Sequence, residues 1–152
     1  MSTFVNYRTT WSTEIWTTAW PHVSYLQNRR GNDLARGEMR PIFDKTRDSI
    51  SFSDAIDKIQ LIPETKTINT YLEFLLAPNT FPDDVVLYTR YVFSLLDQVN
   101  LDWFAVAHHH SKHPHVHAII APMTQGHRKK LISTELLHEL RQQSDYYLFC
   151  RD

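Results

Sequence analysis

Six of the chain's nine histidines lie within one short stretch, LDWFAVAHHHSKHPHVHAIIAP, which runs from residue 101 to 122. His115 and His117 are separated by one residue, so on a β-strand both side chains would point to the same face. His108 ends the preceding apolar run, and it would lie beside them if the two runs paired. Three imidazoles from two neighbouring strands predict an open site for a divalent metal, with coordination positions left for a substrate.

Other interpretations of these histidines are weaker. Expression tags lie at chain termini, whereas this tract is internal. A structural zinc site usually has four protein ligands and favours cysteine, and the one cysteine, Cys150, is distant in the sequence. Within the tract His110 and His113 remain alternative ligands, while His109 should point to the face opposite His108. A divalent ion held in this way is a Lewis acid, able to polarise a phosphoryl oxygen or to activate water.

A reaction at a phosphodiester would also need a nucleophile, and the chain has seven tyrosines. Tyr25 is the best placed because a polar and basic segment surrounds it, although spacing alone does not exclude the others. Its attack on phosphorus would give a phosphotyrosine ester. Helical spacing puts His22, Tyr25 and Arg29 on one face, and arginines can hold phosphate by bidentate contacts. Two basic clusters are present, one of Arg29, Arg30, Arg36 and Arg40 and one of His127, Arg128, Lys129 and Lys130.

The composition is typical of a single globular domain, residues 1–152, with 42% hydrophobic and 22% charged residues. No apolar run approaches the ~20 residues of a membrane span. The first residues lack the basic-then-apolar pattern of a signal peptide, so we expect a cytoplasmic protein without a membrane segment. The net charge of −1 argues against an indiscriminate nucleic-acid binder but is compatible with a local basic groove.

The elements that must position these residues follow from the hydrophobic pattern. The last two strands have a short connection and are expected to pair antiparallel as central strands. The predicted fold class is α+β, with a mostly antiparallel central sheet and helices on at least one face. We predict strands at 3–7, 70–76, 101–107 and 116–121, a long loop at 31–50, and helices at 12–30 (with a break or restart at Pro21), 52–59, 83–99 and 133–147.

Two motifs carry a resemblance to a known family. The run HPHVH, preceded by LDWFAVAH, resembles the metal motif of HUH endonucleases, and more closely that of relaxases, which nick plasmid or integrative-element DNA before conjugative transfer. YLQNRRG, residues 25–31, is similar to the motif YLQRxG of the P-type mobilisation family with one inserted residue. YLEFLLAP and GHRKKL also look like family segments. The resemblance spans roughly residues 20 to 145, the nuclease domain, and family members usually continue into a larger C-terminal region.

The resemblance implies an RRM-like or ferredoxin-like core and a site-specific endonuclease acting on single-stranded DNA at an origin of transfer or replication, together with accessory DNA-processing proteins. It implies that His108, His115 and His117 hold a divalent metal, either manganese or magnesium, with zinc, nickel or cobalt as alternatives. Tyr25 would form a 5′-phosphotyrosine adduct. Glu73 would support the ligands, although an exposed strand carboxylate is an equally good interpretation. The two basic clusters would contact the DNA.

Other functional classes remain open at this point. In HUH replication initiators and transposases the tyrosine follows the histidine motif, and Tyr146 and Tyr147 lie 29 and 30 residues after His117. The position of Tyr25 before the histidines favours the relaxase order. A non-catalytic DNA-binding module with the same fold is a further alternative, which the near-neutral charge supports. An unrelated tri-histidine oxygenase would usually include a carboxylate among its ligands.

Overall fold

The computed structural model describes residues 4–11, 15–29, 31, 34, 37–60, 70–99, 102–109, 113–123 and 134–150. The strands in these ranges are β1 (Phe4–Trp11), β2 (Phe43–Asp44), β3 (Thr70–Ala77), β4 (Trp103–His108) and β5 (His115–Met123). The helices are α1 (Ile15–Asn28), α2 (Phe52–Gln60), α3 (Val85–Phe93) and α4 (Thr134–Cys150), and a 3-10 helix, Ser94–Val99, follows α3. The described strands form one antiparallel sheet in the order β1-β3-β5-β4-β2.

The two histidine-bearing strands occupy the middle of this sheet. β5 lies at its centre with β4 beside it, and their antiparallel ladder places His108 opposite His115. On its other side β5 pairs with β3, where Glu73 lies opposite Ile119. The predicted antiparallel pairing of two central strands is therefore confirmed, as is the coarse α+β class.

The sheet carries a hydrophobic core on each face because successive side chains alternate between its two sides. One face packs against α3 and α4, and its buried residues include Tyr88, Trp103, Ala118 and Leu140. The other face packs against α1 and α2, and its buried residues include Leu26, Ile56, Phe104 and Ile119. The sequence predicted helices on at least one face, and the structure places them on both.

Two helices, α2 and α3, begin where the sequence provides a side-chain cap. Ser51 precedes α2, and its Oγ accepts the backbone N–H of Asp54 over 3.0 Å. Asp84 precedes α3, and its Oδ1 accepts the backbone N–H of Leu87 over 2.9 Å. Each bond satisfies one of the backbone donors that a helix start leaves without an intrahelical acceptor. None of the helices in the ranges given above is long and apolar enough to cross a membrane.

Two helices differ from their predicted form. α1 continues through Pro21, so the predicted break is wrong. Val23 and Leu26, which follow within two turns, are at most 2% exposed, and their burial against the sheet favours a continuous helix despite the proline. The predicted helix at 83–99 keeps α-helical geometry only to Phe93 and continues as a 3-10 helix.

The predicted loop at 31–50 contains regular structure in its second half, residues 42–50. It contains β2, whose Phe43 pairs with Ala105 of β4, and an isolated bridge joins Ile42 to Ile50. Ile42 and Phe43 form an apolar run of only two residues, which is too short for hydrophobic periodicity to indicate a strand. Gly37 has a φ of 84°, a left-handed conformation that glycine adopts without steric cost as the chain turns back from α1.

Asp44, at the end of β2, is a buried carboxylate that organises the turn after it. Its Oδ1 accepts the backbone N–H groups of Thr46 and Arg47, over 3.0 and 2.7 Å. Its Oδ2 accepts from the Arg47 guanidinium and lies 3.3 Å from Nζ of Lys58 on α2. Burial raises the pKa of Asp44, but these hydrogen bonds and the Lys58 charge outweigh it and lower the pKa from 3.8 to about 2.

We expect Asp44→Asn to lower the free energy of unfolding at neutral pH by about 2 kcal/mol, the equivalent of the pKa shift. Because the folded-state pKa is depressed, this contribution is complete above about pH 4 and is lost as the pH falls toward 2. Urea unfolding of both proteins at pH 6 and pH 3 measures the difference. The matched control is Asp48→Asn, which removes an ion pair whose carboxylate is 82% exposed and should change stability by less than about 0.5 kcal/mol. An equal effect of the two changes would contradict the assignment.

Candidate metal centre

The three histidines meet at the end of the β4–β5 ladder. His108 pairs directly with His115, and His117 follows two residues later on the same face of β5. Val116 between them points to the opposite face, where it is buried in the core. The ring centroids are 5.3 Å apart for His108 and His115, 4.6 Å for His108 and His117, and 4.7 Å for His115 and His117. The fold therefore brings the predicted ligands together.

Each imidazole uses one ring nitrogen for a hydrogen bond away from the cluster. Nε2 of His108 donates to the backbone carbonyl of Leu26 over 2.8 Å. Nδ1 of His115 donates to the backbone carbonyl two residues earlier over 2.9 Å, and Nδ1 of His117 donates to Oε1 of Glu73 over 2.7 Å. These oxygens can only accept, so the ring protons belong on these nitrogens. The other nitrogen of each ring then offers its lone pair to a metal.

The lone-pair nitrogens converge at distances that suit a metal ion. One nitrogen from each ring lies within 4.8 Å of the others, and Nε2 of His115 is 3.0 Å from Nε2 of His117. Two lone pairs at that distance repel each other unless a cation or a proton lies between them. Metal–nitrogen bonds of about 2.1 Å place neighbouring ligand atoms roughly 3.0 to 3.4 Å apart. The distance between His115 and His117 is in this range, and with His108 within 4.8 Å the three residues form a group that can hold a divalent ion; three protein ligands leave positions for water or substrate.

Glu73 supports this cluster from β3, the neighbouring strand. Its side chain is 8% exposed, one oxygen accepts from His117, and the other lies 3.3 Å from Nε2 of His22. Burial raises the pKa of Glu73, but the hydrogen bonds and charges of His117 and His22 outweigh it and hold the pKa well below its ordinary value. Glu73 is therefore a buried carboxylate that orients the ring of His117, and not the exposed strand residue that the sequence left open.

His108 is the most buried of the three histidines, with no exposed surface. Burial, together with the neighbouring His117, Arg40 and His115, lowers its pKa from 6.5 to about 3. The ring is therefore neutral near pH 7. Neutral imidazole is the form that binds metals, so no proton has to be displaced from His108 before it can act as a ligand.

Helix α1 contacts the cluster at two points. His22 reaches Glu73, and the backbone carbonyl of Leu26 accepts the hydrogen bond from His108. These two residues are four apart, so the contacts are about 6 Å apart along the helix axis. Tyr25 lies between them in the sequence, and its side chain is not buried with the core but is 53% exposed. Helix α1 thus exposes the phenol of Tyr25 to solvent next to Leu26, whose carbonyl contacts His108.

Arg29 lies beside the exposed phenol. It is itself exposed, and its guanidinium carbon is 5.6 Å from the centroid of the Tyr25 ring, within the range of a cation–π contact. The predicted proximity of a tyrosine and an arginine on one helical face is thus confirmed. A cation at this point would attract an anionic ligand that approaches Tyr25 from solvent.

Arg40 has a different position from the one predicted for a DNA contact. It is 2% exposed, and its Nη1 donates to the backbone carbonyls of Leu26 and Arg29. Its backbone N–H also donates to the carbonyl of Gln27 over 3.0 Å. A buried guanidinium at a helix C-terminus stabilises the last carbonyls. The buried side chain of Arg40 therefore caps the C-terminus of α1. Its predicted role as a surface phosphate contact does not fit this position.

Other predicted site residues fall on the opposite face or outside the described ranges. Tyr146 stacks on Tyr91 of α3, and Tyr147 contacts Tyr88 and Tyr91, so both tyrosines of α4 lie on the face away from the histidines. His109 contacts the edge of a phenylalanine on that side, as predicted. The predicted residues outside the described ranges are Arg30, Arg36, His110, His127, Arg128, Lys129 and Lys130.

His22 is the site residue to which the sequence assigned no role. Its helical spacing placed it on the face of Tyr25 and Arg29, but spacing could not indicate Glu73 as its partner, since Glu73 is on a strand 51 positions away. The carbonyl of Leu26 is a second unpredicted contact, because every residue has a backbone carbonyl and its use by a side chain leaves no sequence signal.

Comparison with known proteins does not extend this description. Neither a scan against models of protein families nor a search of curated proteins finds a match for the chain.

Proposed function

We propose that the chain is a metal-dependent endonuclease domain of the relaxase type, which nicks single-stranded DNA through Tyr25 and retains the 5′ phosphate. The observation that carries this proposal is the convergence of three imidazole lone pairs beside the helix that exposes Tyr25. A divalent ion on three neutral ligands keeps its full charge, and it would polarise an oxygen of the scissile phosphate.

The proposed reaction exchanges one phosphoester bond for another. The phenol oxygen of Tyr25 attacks phosphorus and forms an O–P bond while the bond from phosphorus to the 3′ oxygen breaks. The phenol proton is released, and the 3′ oxygen leaves as a hydroxyl group after taking up a proton. The phosphodiester becomes a phosphotyrosine ester, whose energy is retained for rejoining the strand.

The residues around Tyr25 suit a nucleic-acid substrate. Arg29 places a cation beside the phenol, where it can bind a phosphate of the backbone. Glu73 holds His117 in the orientation that a ligand requires. The other basic residues predicted to contact DNA (Arg30, Arg36, Arg128, Lys129 and Lys130) are proposed to bind phosphates of the DNA backbone. Their contacts would set the register of the strand, and contacts to bases would select the nick site.

The alternative nucleophiles receive less support. Tyr146 and Tyr147 of α4 lie on the face of the sheet that α3 covers, away from the histidines. An initiator or transposase mechanism would need one of them to reach the metal across the sheet. A non-catalytic binding module would not need an exposed phenol on the helix that contacts the histidine cluster, and it would give no covalent product.

The first experiment asks which residue, if any, becomes joined to DNA. The protein is incubated with Mn²⁺ and labelled single-stranded oligonucleotides from its own element's transfer or replication origin, and a denaturing gel separates covalent products. We expect a protein–DNA band that maps to Tyr25 by peptide mass and is absent when EDTA replaces Mn²⁺. An adduct on Tyr146 or Tyr147 would assign the chain to the initiator class. Metal binding without any adduct would favour a binding module.

A further inference from the structure

Two of the three metal ligands contact the helix that carries Tyr25, one directly and one through an intermediary. His108 donates to the carbonyl of Leu26 over 2.8 Å. His117 donates to Glu73 over 2.7 Å, and the other oxygen of that carboxylate lies 3.3 Å from Nε2 of His22. The first contact uses the backbone carbonyl of Leu26, so it does not depend on the side chain at position 26. The second depends on one side chain of α1, that of His22.

We propose that His22 is a positioning residue, which through Glu73 ties the tyrosine-bearing helix to the metal ligand His117, so that metal binding and the docking of α1 strengthen each other. This inference rests on the metal centre and the tyrosine of the proposed function, but it does not require that DNA is cleaved. The atoms involved are the Nε2 of His22 and both oxygens of Glu73.

The coupling follows from the chemistry of a coordinated imidazole. When a ring nitrogen binds a cation, the N–H on the other side of the ring becomes a stronger donor, so the bonds of His108 to Leu26 and of His117 to Glu73 both strengthen. Glu73 can hold His117 in this way only if its own orientation is set, and β3 and His22 provide that constraint. By thermodynamic linkage, if docking of α1 raises the metal affinity by some factor, metal binding raises the equilibrium constant for docking of α1 by the same factor.

The burial of these groups supports a specific contact. The side chains of His22 and Glu73 are 21% and 8% exposed, so their contact is partly shielded from water and stronger than one on an open surface. An alternative position for His22, turned toward solvent, would leave a buried carboxylate oxygen without this contact. This oxygen is buried and makes no hydrogen bond of good geometry within the described part of the chain, so the electrostatic contact with His22 favours the docked helix.

Two substitutions of His22 separate a positioning role from a merely structural one. The side-chain amide nitrogen of Gln reaches the position of Nε2, whereas that of Asn falls short of it. We expect His22→Gln to preserve the contact with Glu73 and His22→Asn to lose it. His138→Asn on α4, an exposed histidine on the other face, is the matched control.

The measurement uses Co²⁺ alone, without DNA. Its absorption bands report binding to imidazole, and hydrogen exchange with mass spectrometry reports the protection of α1. In the wild type and in His22→Gln, Co²⁺ should slow exchange in peptides that cover 15–28 while leaving α4 unchanged. In His22→Asn this metal-dependent protection should fall to the part that the contact of His108 with Leu26 provides, and the Co²⁺ affinity should fall about 10-fold to 100-fold, the cost of losing an outer partner of a ligand.

A double-mutant cycle identifies the partner. The effects of His22→Asn and Glu73→Gln on Co²⁺ affinity should be less than additive, because both remove the same contact. The inference is overturned if His22→Asn lowers the protection of α1 equally with and without Co²⁺ and keeps the wild-type affinity, and also if the wild type binds no Co²⁺. If Co²⁺ protects α1 as expected but no DNA adduct forms, the inference stands and the proposed nuclease activity fails.

Discussion

Tyr25→Phe is expected to abolish the covalent DNA adduct while metal binding and DNA binding remain. The substitution keeps the ring and removes only the phenol oxygen, which the proposed mechanism uses as the nucleophile. Because Tyr25 is 53% exposed, the change should alter stability by less than about 0.5 kcal/mol. The rate of adduct formation should fall on the order of 10⁴-fold or more, as it does when an enzyme loses its nucleophile.

A matched substitution tests whether this effect is specific. Tyr146 is exposed to a similar extent, 57%, and stacks on Tyr91 on the opposite side of the sheet. Tyr146→Phe should therefore leave the adduct rate within a factor of about two of the wild type. Single-turnover assays with Mn²⁺ and excess protein measure both variants, and a gel-shift assay checks DNA binding. Normal adduct formation by Tyr25→Phe would refute the assignment, and its loss in Tyr146→Phe would transfer the role to α4.

The histidine cluster was predictable because its geometry is largely local. Two apolar runs with β-branched and aromatic residues indicate strands, and the alternation of side chains puts His115 and His117 on one face without any tertiary information. The short connection between the runs favours an antiparallel pair, and that pair brings His108 opposite His115. The histidine cluster thus depends on two strands that are adjacent in the sequence and joined by a short connection.

The supporting residues were less predictable because their positions depend on distant parts of the chain. Glu73 could have been exposed or buried, and the choice depends on β3 pairing with β5 in a register that places Glu73 beside His117. The role of Arg40 depends on the path of the chain after α1. In sequence it belongs to a basic cluster, but the turn near Gly37 returns it to the helix end, where its guanidinium is buried.

The predicted boundaries of the helices and strands were wrong where tertiary packing opposed the local sequence preference. A proline inside a helix removes one hydrogen bond, so the sequence favoured a break at Pro21. The buried Val23 and Leu26 explain why α1 continues. The pairing of Phe43 with β4 turns a predicted loop residue into an edge strand. In each case the decisive interaction is tertiary burial, which a local pattern does not record.

His115→Ala is expected to remove metal binding and DNA nicking together. The substitution deletes one of three ligands, and the remaining Nδ1 of His108 and Nε2 of His117 then form a two-ligand site. Loss of a ligand should cost more than the roughly 10-fold to 100-fold that loss of an outer partner costs. Since His115 is only partly buried, we do not expect the fold itself to be lost.

Thermal unfolding with and without Mn²⁺ measures this effect independently of DNA. A metal present at 100 times its dissociation constant stabilises the folded state by about 2.7 kcal/mol, which for a chain of this size raises Tm by roughly 5 to 10 °C. This increase should be present in the wild type and absent in His115→Ala. The control is His109→Ala, because His109 is exposed and contacts Phe81 on the other face, so the variant should keep both the Tm increase and nicking.

The two readouts together distinguish the roles that a metal can have. If His115→Ala loses both the Mn²⁺-dependent Tm increase and the adduct, the ion is part of the reaction. If the Tm increase is lost but the adduct still forms at the wild-type rate, the metal stabilises the sheet without taking part in catalysis. If His109→Ala loses the Tm increase and His115→Ala keeps it, the ligands have been assigned to the wrong face of β4.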